Sequence, residues 1–220
     1  MTAKELLNES INVLRHTDTV EAAVGYLNGQ GLTELPVVKN KFLYNYARIE
    51  NLNQVDDHSL RLDQVIAENV HAPAVFHNQH LYEIVPIMAV SELSVIAVLG
   101  ENKEFEGTID QRRINKLITE SMTYRGLGAV VVLDLEDRDF SPASICRWVE
   151  ENGAKVIGMM VKSEEMGRLK VNLKLNTTVS RNIVSTFQRQ GYKVENVYLS
   201  EDQNGQEDRE IDMVLKFFDL

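Results

Sequence analysis

TVEAAVGYLNGQGLTELPVV, residues 19–38, and HLYEIVPIMAVSELSVIAVL, residues 80–99, run in step without a gap at an offset of 61 residues. Val20, Ala23, Val24 and Leu27 in the first match Leu81, Ile84, Val85 and Met88 in the second. Both sets are spaced i, i+3, i+4, i+7, the pattern that lines one face of a helix. The sequence therefore predicts two helices of one design, each leading into a short apolar strand, LPVV at 35–38 and IAVL at 96–99. Gly25 and Pro86 occupy matching places in the two helices, and an interior proline costs about 3 kcal/mol, so both helices are expected to be short or kinked there.

Working outward, a polar turn and a second strand follow in each copy, LYNYARI and FEGTIDQ, and then the start of another helix near Asn51 and near Arg113. The repeating unit is strand, helix, strand, strand, helix. A unit of about 60 residues buries only about 60% of the surface its unfolded chain exposes and is marginal alone. The two copies are expected to pack together about a pseudo-two-fold axis, which creates two equivalent clefts.

From Gly126 the pattern changes. GAVVVLDLED reads as a strand, and SPASICRWVEENG reads as a helix with Ser141 as N-cap, Pro142 at its first position and Gly153 beyond its end. KVIGMMV and RLKVNLKL form a hairpin around Glu165-Met166-Gly167, and a helix within TVSRNIVSTFQRQG and a strand YKVENVYL follow. The order β-α-β-β-α-β is that of a ferredoxin-like fold. Leu169, Val171, Leu173 and Leu175 alternate with Arg168, Lys170, Asn172 and Lys174, as expected of an antiparallel sheet with one solvated face. The acidic stretch at 201–210 reads as a loop and IDMVLKFFDL at 211–220 as a last strand.

Composition sets the outer bounds. The chain has 220 residues, 44% of them apolar and 25% charged, close to an average globular protein. One cysteine, Cys146, excludes an intrachain disulfide and a multi-cysteine zinc site. Its helical neighbours make it a small buried hydrophobe. The net charge of -10, negative on both sides of residue 124, disfavours a sequence-independent grip on nucleic acid or an anionic membrane. The N-terminus lacks the apolar run of a signal peptide, and no apolar run approaches the length of a membrane span, so a cytoplasmic protein is expected.

No phosphate loop, dinucleotide fingerprint or metalloprotease helix is present. His71, His77 and His80 lie within ten residues, but the repeat alignment puts His77 and His80 at the turn before a helix, which favours turn or capping roles over metal ligation. The paired carboxylates Asp56-Asp57 and Glu164-Glu165 fall in loops.

On these residues the chain resembles a known architecture. Residues 1–124, as repeats of about 6–62 and 63–124, look like a tandem CBS-domain pair, through the TVEAAVGYL helix, the LTELPVV strand and the LYNYARIENL strand-to-helix join. Residues 125–220 look like an ACT-type, ferredoxin-like domain with an extra C-terminal strand, through VVVLDLEDRD leading into SPASICRWVEENGAKVI. The order is similar to that of acetoin-utilisation-type regulatory proteins. The fold class implied is α+β, with α/β character in the repeats.

The resemblance implies a non-enzymatic regulatory protein and a homodimer. CBS clefts take adenine nucleotides such as AMP or ATP as effectors, and ACT domains take an amino acid or similar effector at a domain interface. The alternative is a structural or interaction module whose ligand sites have decayed. The family's glycine, hydroxyl and ribose-binding aspartate correspond to Asn45, Arg48 and Asn51 in the first repeat and to Gly107, Asp110 and Arg113 in the second. Neither copy has the aspartate. Arg48, Arg112, Arg113 and Lys116 could instead hold a phosphate or carboxylate. Val13, Leu14, Pro36, Ala74, Val75 and Ala97 stand where the family lays the base against a strand. In the ACT loop, Asp137 and Arg138 are followed by Asp139, Phe140 and Ser141, with a ring where the family has glycine.

Overall fold

The structure is a computed structural model that describes residues 1–199. The acidic loop and last strand expected over 201–220 lie outside the described residues. Two compact units are present, Met1–Ile118 and the chain from Thr119 onward.

The first unit contains the repeat twice. β1 (Leu14–Arg15), α1 (Val20–Gln30), β2 (Glu34–Lys39), β3 (Phe42–Arg48), α2 (Ile49–Leu52) and α3 (Leu62–Val65) form the first copy. The second is β4 (Ala74–Phe76), α4 (Leu81–Val90), β5 (Val95–Leu99), β6 (Phe105–Asp110) and α5 (Gln111–Glu120). Each copy makes a three-stranded sheet with one parallel and one antiparallel pairing. The register slips between Val37 and Val38 in one sheet and between Val98 and Leu99 in the other, so the bulge repeats at the same 61-residue offset.

Thr19 caps α1 by accepting from Ala22 N, and Gly31, at φ 62°, ends it in the left-handed conformation that glycine adopts without strain. His80 caps α4, accepting from Tyr82 N through Nδ1, while Glu83 accepts from His80 N. Both helices run unbroken through Gly25 and Pro86, which lie on their exposed faces. Val85 departs from the expected buried stripe. It is 41% exposed, because the buried face of α4 is carried by Leu81, Ile84 and Met88.

The two repeat cores interlock. Tyr46 of the first copy is buried among Val75, Leu81 and Ile96 of the second, and Val95 of the second is buried among Leu27, Leu35 and Leu62 of the first. Buried Glu34 accepts from Ser94 N, Ser94 Oγ and Val95 N across the pseudo-axis and from Thr33 Oγ1 beside it. Arg48 Nη2 donates to Ser91 O and Arg112 Nη1 to Gln30 O, so each helix ends against an arginine from the opposite repeat. The negative end of a helix favours such cations.

The second unit has the short helix α6 (Met122–Arg125), then β7 (Val130–Glu136), α7 (Pro142–Glu151), β8 (Val156–Ser163), β9 (Arg168–Leu175), α8 (Arg181–Arg189) and β10 (Lys193–Tyr198). The strands form one antiparallel sheet in the order β10-β7-β9-β8. β9 is buried at every second residue, and Leu169, Val171, Leu173 and Leu175 meet Ile145, Val149, Ile183 and Phe187 of α7 and α8. Of its basic stripe, Arg168 binds Asp134, which Lys193 of β10 also meets, Lys170 binds Glu195, and Lys174 donates to Gly128 O. Cys146 is half-buried, less enclosed than its helical neighbours Ile145 and Val149.

Candidate functional site

β3 runs into α2 at Arg48, and residues 65–73 pass beside that join on their way to β4. Between them lies a cleft of about 420 Å3. Arg48, Asn51, Asn45 and Asn69 supply its polar groups, which dominate the accessible lining, and Leu52, Val55, Val65, Ile66 and Leu93 lie behind them. No carboxylate, histidine, cysteine or lysine is among its lining residues. Its volume falls within the range of about 300–1,000 Å3 usual for small-molecule sites.

The polar groups are held from behind. Asn45 Nδ2 donates to Ala67 O at 2.8 Å and its Oδ1 accepts from Tyr46 N at 2.8 Å, so one side-chain amide ties the strand to the passing segment. Tyr46 Oη donates to Pro73 O at 2.7 Å and accepts from Ala97 N at 2.9 Å. Burial pushes the Tyr46 hydroxyl well above the usual phenol range, which keeps it a neutral bridge.

Of the residues singled out from sequence, Asn45, Arg48 and Asn51 line this cleft. Leu14, Pro36, Val75 and Ala97 are buried within strands, and Val13 and Ala74 are half-buried beside them. Leu14, Ala74, Val75 and Ala97 pack into the repeat cores, and the apolar residues of the cleft come from the helices and the segment after α3. In the second copy Asp110 is 3% exposed, with Oδ1 accepting from Arg113 N at 3.0 Å and Oδ2 from Asn8 Nδ2 at 2.5 Å. Arg112 approaches Asp110 at 3.6 Å, and Arg113 is exposed.

In the second unit Asp137, Arg138 and Asp139 form a 3-10 turn, Phe140 packs against the core and Ser141 Oγ accepts from Ser144 N as the cap of α7. Tyr192 Oη donates to Asp139 O at 2.5 Å, pinning the loop. Of the histidines, His80 is a helix cap and His77 pairs with Glu106 at 3.2 Å. Among the described residues no cluster of side chains could hold a metal ion.

Sequence reasoning missed Asn69, Tyr46 and the pair Leu7-Asn8. Extending the 61-residue alignment back to the N-terminus would have found two of these, because it sets Asn8 against Asn69.

No family model and no curated protein matches this sequence. Solved structures share its fold over about half of the chain. The protein MJ1004 from Methanocaldococcus jannaschii is 16% identical with a TM-score of 0.50, and the match covers 55% of this chain and 60% of that one. A CBS domain pair/ACT domain protein from Thermotoga maritima is 12% identical with a TM-score of 0.49, covering 55% of this chain and 98% of that one. CBSX2 in complex with AMP is 12% identical with a TM-score of 0.47, covering 54% and 96%. CBS domain pairs are thus among its structural neighbours. In the described residues, no helix is long and apolar enough to cross a membrane.

Proposed function

We propose that this chain is a non-enzymatic regulatory protein, a CBS-type pair over residues 1–124 joined to a ferredoxin-like, ACT-type domain over 125–220, and that it responds to a small effector. The observation that carries the proposal is the first cleft, which gathers Arg48, Asn45, Asn51 and Asn69 around one opening. Such a lining binds and orients. The sheet order β10-β7-β9-β8 with two helices supports the ferredoxin-like reading of the second unit. An adenine nucleotide such as AMP or ATP is the effector class that the CBS resemblance implies, and the guanidinium of Arg48 suits its phosphate.

A second reading, an interaction module with decayed ligand sites, is favoured by the second copy, where Asp110 is engaged by Asn8, and by the loop at Phe140 and Ser141, whose side chains serve packing and capping. Thermal unfolding with AMP, ADP, ATP, S-adenosylmethionine and amino acids separates the two. A ligand at 100 times its dissociation constant adds about 2.7 kcal/mol of stability and raises Tm accordingly. A flat response to every compound leaves the interaction module standing.

A further inference from the structure

The two repeats treat equivalent strand edges differently. Val37 pairs with Asn45 and Val98 with Gly107, which makes Asn45 the counterpart of Gly107, Arg48 of Asp110 and Tyr46 of Thr108. A flanking segment runs beside each strand, residues 66–71 beside β3 and residues 3–10 beside β6. Asn69 and Asn8 close the same turn in these segments, accepting from His71 N at 3.0 Å and from Ser10 N at 2.9 Å. Yet Asn8 N donates to Thr108 O, while Asn69 N donates to Tyr44 O. The counterpart of Thr108 is Tyr46, so the first segment stops two residues short along its strand, a gap of about 6.6 Å.

The two strand edges carry different neighbours. In the second copy Leu7 lies over Gly107, its Cδ2 2.9 Å from where a Cβ would stand, and Asn8 Nδ2 reaches the buried Asp110 carboxylate. In the first copy the Asn45 amide bridges to Ala67, and the space beyond it is the cleft lined by Arg48. The charge is also inverted. Where the second copy holds a carboxylate and supplies its own amide donor, the first holds a guanidinium whose bond to Ser91 O uses one of its five N–H donors.

We propose that the chain has one working cleft, the first, which takes a small molecule bearing a phosphate or carboxylate on Arg48, and that Leu7 and Asn8 hold the second shut as a built-in substitute for a ligand. This rests on the ligand-binding reading above and narrows it to one site per chain.

Calorimetry on the full chain with AMP, adenosine, inorganic phosphate and citrate tests it. The expected result is one AMP per chain, at least tenfold weaker binding of AMP by Arg48→Gln, and adenosine binding that is weaker than AMP and little changed by that substitution. Two AMP per chain, equal binding of adenosine and AMP, or a loss in Arg113→Gln matching that in Arg48→Gln overturns the proposal while leaving ligand sensing intact. Silence from all four probes overturns the proposal, and the ligand-sensing reading then rests on the thermal unfolding series alone. The closed cleft has its own measurement, a double-mutant cycle on Tm with Asn8→Ala and Asp110→Asn. The double variant should lose several degrees less than the sum of the single losses, and additive losses would overturn the closure.

Discussion

Tyr46 and Thr108 stand at equivalent points of β3 and β6, opposite Pro36 and Ala97. Ala97 has an N–H to give to the Tyr46 hydroxyl, and Pro36 has none to give in return. Thr108 Oγ1 is buried without a hydrogen-bond partner among the described residues. The two substitutions that delete these hydroxyls should therefore act in opposite directions. Tyr46→Phe strands the Ala97 N–H and the Pro73 carbonyl and should cost about 1–3 kcal/mol. Thr108→Val removes an unpaired group at nearly constant shape and should be neutral or stabilise by about 1 kcal/mol. Urea unfolding measures both, and a large destabilisation by Thr108→Val would show that its hydroxyl is bonded in solution.

At the scale of elements, α1 and α4 each carry a poor helix former on the exposed face. A Cβ on Gly25 meets nothing within 4 Å, so Gly25→Ala should stabilise by about 0.5–1 kcal/mol. Pro86→Ala restores a helical N–H at an exposed position and should stabilise by about 1–3 kcal/mol. No gain in Tm from either would mean that the helices owe nothing to local propensity. In the second unit the Arg168 side chain, and after it Lys193, hold the Asp134 carboxyl below the usual carboxylate range. A depressed folded-state pKa gives stability that is present above about pH 4 and lost as pH falls through the folded value. Asp134→Asn should flatten stability against pH across that acid window and leave the slope near neutrality unchanged.

At the scale of the whole molecule, α4 of the first unit carries apolar side chains that are exposed among the described residues. Val85 is 41%, Tyr82 85% and Val90 86% exposed on α4, beside a groove of about 380 Å3 lined by Met88, Ile114 and Ile118. Such a face in an acidic chain is suited to a second copy, because apolar burial offsets the like charge of the two partners. The expected homodimer should sediment at twice the 25.0 kDa chain mass at micromolar concentration. A single 25.0 kDa species there would count against it, and Val85→Glu should shift a dimer toward that species.

Local periodicity was enough for the elements. The i, i+3, i+4, i+7 spacing in 19–38 and 80–99 predicts both helices and the strands after them, and the alternation in 168–175 predicts a half-solvated strand, because each pattern records which side of one element meets water. The strand-to-helix join likewise placed Arg48 and Asn51 beside each other. Sequence did not determine how the two equivalent strand edges come to differ. That turned on a two-residue slip of residues 66–71 against β3, on Leu7 lying over Gly107 and on Asn8 reaching Asp110, 102 residues away. Contacts between segments so far apart leave no period in the chain, and only the packed fold brings their hydrogen-bonding groups into register.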